Sequence, residues 1–219
     1  VLTLGITTST PVMGVALARG GEVVAHRCEP AERRHAERLV PLVLDVLADA
    51  GRELGDVGRL AVDIGPGLFT GLRVGLATVG GLARGLDVGV VVAPSLVLLA
   101  AGAGVRGPLL AVIDARRGEV FAQPFLVGAT AVTPAAEARV LDPAEAAGWA
   151  GGGPSVGDGA VRYRPVFAAA GVAVAAAHPS AAELARRADQ WAPSPGRVPT
   201  PHYLRPPDAR VGAWTTRAS

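Results

Sequence analysis

The residues best suited to chemistry follow one short apolar run. Leu60 to Ile64 leads into Gly65-Pro66-Gly67-Leu68-Phe69-Thr70-Gly71, and a glycine-studded apolar segment comes next. A strand that turns through glycines into a helix offers unpaired backbone N–H groups, which suits a phosphate. The spacing departs from G-x-G-x-x-G, because the third glycine falls one residue late, and the chain has no lysine to complete a Walker A loop. Gly65, Gly67 and Thr70 are the phosphate-loop candidates, with Thr70 expected as the helix N-cap.

Other chemistry is thinly spread. Asp63, Asp114 and Asp158 each adjoin a strand, where carboxylates of α/β enzymes often work, but their separation leaves open whether they meet. The four histidines, His26, His35, His178 and His202, lack metal-ligand spacing, and only His35 falls near a helix start. Cys28 is the single cysteine, which excludes a disulfide within the chain and reads as a buried or half-buried structural thiol. All 21 basic residues are arginine, which removes Schiff-base chemistry. No Ser-His-Asp or Cys-His arrangement recommends a peptidase. No catalytic residue, metal or cofactor is expected.

These residues must be positioned by a globular chain. Of 219 residues, half are hydrophobic and 18% charged, a balance that supports a buried core. A net charge of +2 does not by itself indicate nucleic-acid binding, and Arg33, Arg34, Arg38, Arg116, Arg117, Arg186 and Arg187 read as solvated patches. No uninterrupted apolar run of membrane-spanning length and no basic-then-apolar leader is evident, so a cytoplasmic, uncleaved protein without a membrane partner is expected.

Segments 2–6, 12–18 and 22–28 read as three antiparallel strands, the last pair joined at Gly20-Gly21. A helix is expected over 32–50, with Leu39, Val43, Val46 and Ala50 on one stripe, Leu42 and Leu47 beside it, and Gly51 as terminator. Pro41 lies inside it and predicts a kink or a frayed first turn. Strand 59–64, helix 70–86, strand 88–92 and helix 95–101 complete a mixed-sheet half. "AGAGVRGP" at 101–108 marks a boundary. A reduced second half follows: strands 109–113 and 120–127 around "DARRGE", a helix after Asp142-Pro143, a weak strand at 155–156, a helix near 163–170, a strand at 172–176 and an N-capped helix over 180–191. The proline-rich end predicts an irregular tail. The domain expectation is 1–104, then 105–204, then a tail over 205–219.

The helix at 70–86 carries Gly71, Gly75, Thr78 and Leu82 on one face, with Gly81 and Gly85 nearby. Each interior glycine costs about 0.8–1 kcal/mol relative to alanine, so several together imply close approach of another element. That element is either helix 32–50 of the same chain or part of another subunit.

Four phrases, "HAERLVPLV" (35–43), "GPGLFTGLRVGLATVGGLA" (65–83), "IDARRGEVF" (113–121) and "YLRPPD" (203–208), resemble the TsaB (YeaZ) family in order along the chain. The resemblance implies an actin-like, sugar-kinase-like α/β fold of two related lobes, each a mixed β-sheet with flanking helices, the second reduced. It implies a non-catalytic scaffold that binds a TsaD-like catalytic subunit beside a TsaE-like ATPase, with tRNA reached indirectly. The reaction served is threonylcarbamoyl transfer to adenosine 37 of tRNA. The expected partner interface is His35, Leu39, Leu42, Val46, Gly71, Gly75, Thr78 and Leu82, with Asp114, Arg116, Arg117 and Glu119 as further contacts and a homodimer in the partner's absence. Ser95 and Leu99 stand where the catalytic relative carries its metal-binding histidines. Thr7 stands where the family usually has aspartate, and Leu68 where it usually has serine. The alternative is a nucleotide-binding ATPase or phosphotransferase of the actin-like superfamily.

Overall fold

A computed structural model describes residues 1–31 and 34–205. The first lobe begins with β1 (Leu2–Thr7), β2 (Val12–Arg19) and β3 (Glu22–Pro30), an antiparallel meander. Gly20 and Gly21, at φ +60° and +82°, make the β2–β3 turn that residues with a Cβ adopt at a cost. Helix α1 (His35–Asp49), β4 (Arg59–Asp63), α2 (Phe69–Leu86) and β5 (Gly89–Ala93) follow, and β4 runs parallel to both β1 and β5. Leu4, Ile6, Val15 and Leu17 from the sheet meet Leu39, Leu42 and Val46 of α1 and Leu76 and Val79 of α2 in one core. Full burial of each such side chain contributes about 1.5–3 kcal/mol. That burial holds α1 together across Pro41, which removes one ladder hydrogen bond.

Helix α3 (Ser95–Gly102) leads into the second lobe and gives Leu96 and Leu99 to its core. Strands β6 (Gly107–Arg116) and β7 (Glu119–Val127) form its long hairpin. Two three-residue strands, β8 (Val132–Pro134) and β9 (Arg139–Leu141), pair with β7. Helix α4 (Pro143–Gly148) is capped by Asp142, whose side chain accepts from the Ala144 N–H at 2.8 Å. Strand β10 (Ser155–Val156) lies parallel to β6 and to β11 (Val174–Ala175), with α5 (Asp158–Arg162) and α6 (Arg164–Ala169) between them in sequence.

The chain then returns to the first lobe. Helix α7 (Ala181–Arg186) packs on β1 and β2, and β12 (Ala192–Pro193) pairs with β5. The first sheet is therefore ordered β12-β5-β4-β1-β2-β3 and the second β11-β10-β6-β7-β8. Gly5 lets α7 approach, since a Cβ there would lie 2.9 Å from the Ala181 carbonyl oxygen. Residues 105–204 are thus not one lobe throughout, because α7 packs on the first sheet and β12 extends its β5 edge.

Other departures have local causes. Helix α1 is described from His35, and the expected start at Glu32, like Arg33, lies outside the described residues. Leu68, not Thr70, is the N-cap position of α2, and no side chain caps that end. The expected helix near 163–170 is α6, preceded by the additional short helix α5, and α7 ends at Arg186 before a 3-10 turn over Ala188–Gln190. The weak periodicity of so many alanines does not mark such short pieces. The tail beyond residue 205 lies outside the described residues. Among the described residues, no helix is long and apolar enough to cross a membrane.

Candidate functional site

The turn between β1 and β2 packs against the loop before α2. Asp63, at the end of β4, is fully buried. Its carboxylate accepts from the backbone N–H of Thr8 at 3.1 Å and of Ser9 at 3.2 Å, and from the Ser95 hydroxyl at 3.1 Å. Ser95 Oγ in turn accepts from the Gly65 N–H at 3.1 Å. Burial pushes the Asp63 carboxyl above its ordinary range, against those hydrogen bonds, which favour the ionised form.

The N-terminus of α2 is occupied as well. The Leu68 N–H donates to the Ser9 carbonyl at 2.7 Å, and a Cβ on Gly67 would lie 2.6 Å from Ser9 Cβ. Cβ atoms on Gly71 and Gly75 would overlap the Thr8 carbonyl oxygen and hydroxyl respectively. The Gly65 and Leu68 N–H groups of the loop are spent on Ser95 Oγ and the Ser9 carbonyl, and those of Thr8 and Ser9 on Asp63. Gly65, Gly67 and the neighbouring backbone therefore build a packed turn, while Thr70 is exposed at the start of α2.

This packing corrects the expected role of the glycine face. Gly71 and Gly75 receive Thr8, and Gly71 also faces His35 Nε2 of α1, 3.2 Å from its would-be Cβ, so the close approach is made within the chain. His35 is buried and its Nε2 donates to the Thr10 carbonyl at 3.2 Å, on the same turn. Leu39, Leu42 and Val46 are buried in the first-lobe core, whereas Thr78 and Leu82 are half-buried. The surface that remains open is different. On α1 it is the i, i+4 ridge Ala36, Val40, Leu44 and Ala48, with Val40 50% and Leu44 54% exposed. On α2 it is Ala77, Gly81 and Gly85, and a Cβ on either glycine would meet nothing within 4 Å.

The polar side of α1 is tied inward to β3. Arg27 grips Asp49 with two hydrogen bonds of 2.6 and 2.7 Å, and Arg38 grips Glu29 at 2.9 and 3.1 Å. These exposed pairs orient α1 and contribute little stability.

Asp114 and Asp158 do come together. Asp158 accepts from the Asp114 N–H at 3.2 Å, while Asp114 pairs with Arg116 at 3.0 Å and Arg162 at 3.6 Å. Burial first, and then the Asp114 charge, raises Asp158. Asp63 belongs to the separate first-lobe network. Thr7 is buried with its hydroxyl unpartnered among the described residues.

A contact absent from the sequence reading joins Cys28 to His178, 3.3 Å apart from Sγ to Nε2. Cys28 is exposed on the edge strand β3 rather than buried. Partial burial raises the thiol and lowers the imidazole, so both neutral forms are favoured over a reactive ion pair. Their separation of 150 residues left no local signal.

Two lobes, each built around a mixed β-sheet with helices packed against it, define a two-lobed α/β protein. The family described as TsaD: tRNA N6-adenosine threonylcarbamoyltransferase matches residues 27–192. The YeaZ structure from Pseudomonas aeruginosa superposes with a TM-score of 0.77 at 30% identity, covering 91% of this chain and 98% of that one. The chain belongs to this family, on its TsaB/YeaZ branch. The tRNA threonylcarbamoyladenosine biosynthesis protein TsaB of Escherichia coli is 40% identical over 121 residues, 54% of this chain and 52% of that one. An uncharacterized protein of Mycobacterium tuberculosis is 37% identical over 216 residues, 97% of this chain and 96% of that one.

Proposed function

We propose that this protein is a non-catalytic scaffold that binds and activates a TsaD-like catalytic subunit in threonylcarbamoyl transfer to tRNA adenosine, with a TsaE-like ATPase joining the complex. The kinship with TsaB supplies the reaction. The observation that carries the scaffold role is the unpartnered ridge Ala36, Val40, Leu44 and Ala48 on α1, together with the open Ala77, Gly81 and Gly85 on α2. Medium and small apolar side chains at i, i+4 spacing suit a helix-on-helix interface, and the open glycines permit a short interaxial distance. The same surface would hold a second copy of the chain when the partner is absent.

The close packing of Thr8 and Ser9 against Gly67, Gly71 and Gly75, with the Gly65 and Leu68 N–H groups bonded within the chain, supports a role other than nucleotide turnover. The test is size-exclusion co-elution with the TsaD counterpart, paired with a tRNA modification assay. Leu44→Arg should abolish co-elution and modification while the melting temperature stays within about 2 °C of the parent, because the residue is exposed. Normal co-elution of that variant, or full modification when the protein is omitted, overturns the reading.

A further inference from the structure

Side chains of β3 leave its two faces alternately. Ala25, Arg27 and Glu29 turn toward α1, while His26 and Cys28 turn to the face that α7 covers. Between that face and the start of α7 lies a cavity of about 330 Å³, lined by His26, Cys28, His178, Ser180, Ala181 and Ala182. Small residues keep it open. Gly14 stands opposite Cys28 in the β2–β3 register, and a Cβ there would lie 3.3 Å from Cys28 Sγ and 3.2 Å from Ala181 Cβ. Arg27 reaches the rim, but Asp49 and Asp45 of α1 take up its charge.

Cys28 Sγ and His178 Nε2 stand 3.3 Å apart in this cavity. With both groups neutral, one proton bridges them, and a metal ion bound by both would replace it. The separation suits such an ion. Zinc–sulfur and zinc–nitrogen bonds of about 2.3 and 2.0 Å, drawn from two atoms 3.3 Å apart, enclose about 100° at the metal, near the tetrahedral angle. His26 lies two residues before Cys28, and same-face neighbours on a strand are about 7 Å apart, a span that an imidazole and a thiol can close around one ion. Among the described residues no three such side chains already converge as a metal site, so His26 completes the set by turning its exposed ring inward.

We propose that His26, Cys28 and His178 bind a thiophilic divalent cation of the zinc class, with water as the fourth ligand. A thiolate and two imidazoles form a donor set that zinc prefers over magnesium or calcium, which take oxygen ligands. The ion would tie the edge strand β3 to the segment that leads into α7, where Ser180 caps the helix two residues after His178. It would thus brace the return of the chain to the first lobe. The site is separate from the Asp63 network and from the open ridges of α1 and α2.

The test titrates the reduced, tag-free full chain with Co²⁺, whose bond to a thiolate gives a near-ultraviolet charge-transfer band, and then adds Zn²⁺. The band should saturate at one ion per chain and bleach with Zn²⁺. Zn²⁺ should also raise the melting temperature, because the three ligands meet only in the folded chain. Cys28→Ser should remove the band, and His178→Ala and His26→Ala should each weaken binding by about tenfold or more, since even a residue behind a ligand is worth that much. His26 and Cys28 are exposed, so their variants should melt with the metal-free parent, which separates lost binding from lost folding. Two results overturn the proposal: no thiolate band at millimolar Co²⁺, or undiminished affinity in either His178→Ala or His26→Ala.

Discussion

Alanine at two glycines of α2 should have opposite effects. In an exposed helix interior, Gly→Ala gains about 1 kcal/mol. Gly81 is such a position, since nothing lies within 4 Å of its would-be Cβ, so Gly81→Ala should stabilise the protein by about that amount. At Gly75 the new methyl would overlap Thr8 Oγ1 and sit 3.3 Å from Thr8 Cβ and Cγ2. Thr8 has little freedom to retreat, because it is fully buried and its N–H is held by Asp63 at 3.1 Å. Overpacking of this kind costs about 1–3 kcal/mol, and the helix gain offsets only part of it. The two variants should differ by about 1–3 kcal/mol, or roughly 2–12 °C in melting temperature for a chain of this size. Thermal or urea unfolding followed by circular dichroism measures the difference. Equal stabilities would refute internal packing at Gly75 and restore it as a docking position.

Ser95→Ala removes both the donor to Asp63 and the acceptor of the Gly65 N–H, so it should lower stability by about 1–3 kcal/mol in urea unfolding. A loss below a few tenths would show that neither bond matters. Asp63 predicts a pH signature. Its folded-state pKa lies above the ordinary 3.8, so its contribution to stability is greatest below that value and declines as pH rises through the raised folded value. The stability difference between the parent and Asp63→Asn should therefore fall from about pH 4 upward and then level off. A difference that rises over that interval would contradict burial as the dominant influence on Asp63.

The helices and the first sheet were legible because their signals are local. Leu39, Leu42, Val43 and Val46 fall on one stripe of α1, and Gly20-Gly21 marks the turn between two strands. Asp142 and Ser180 announced their caps for the same reason, each bonding a backbone N–H two or three residues ahead. The glycines of α2 announced close approach but not its object, since a missing Cβ looks the same whether a turn of the same chain or another molecule fills the space. Gly71 and Gly75 lie where the β1–β2 turn crosses the start of the helix, and Gly81 and Gly85 lie beyond it. Only tertiary placement separates them. The contacts Asp63 to Thr8 and Cys28 to His178 span 55 and 150 residues, beyond the reach of any spacing rule.

The buried Asp63 explains how the β1–β2 turn beside a glycine loop can offer converging N–H groups and yet be filled. An anion at such a turn is held by backbone N–H groups, and those of Thr8 and Ser9 already face two carboxylate oxygens supplied by the chain. A free phosphate would have to displace a ligand that is covalently attached and therefore present at a high effective concentration. It would also strand the Asp63 carboxylate in a pocket where burial disfavours its charge. The glycines reinforce this arrangement, for their absent side chains admit Thr8 and Ser9 where a ligand would otherwise lie. One carboxylate and three close glycines thus convert a potential binding loop into a rigid support for the start of α2, from which the helix carries its open residues, Ala77, Gly81 and Gly85, to the surface.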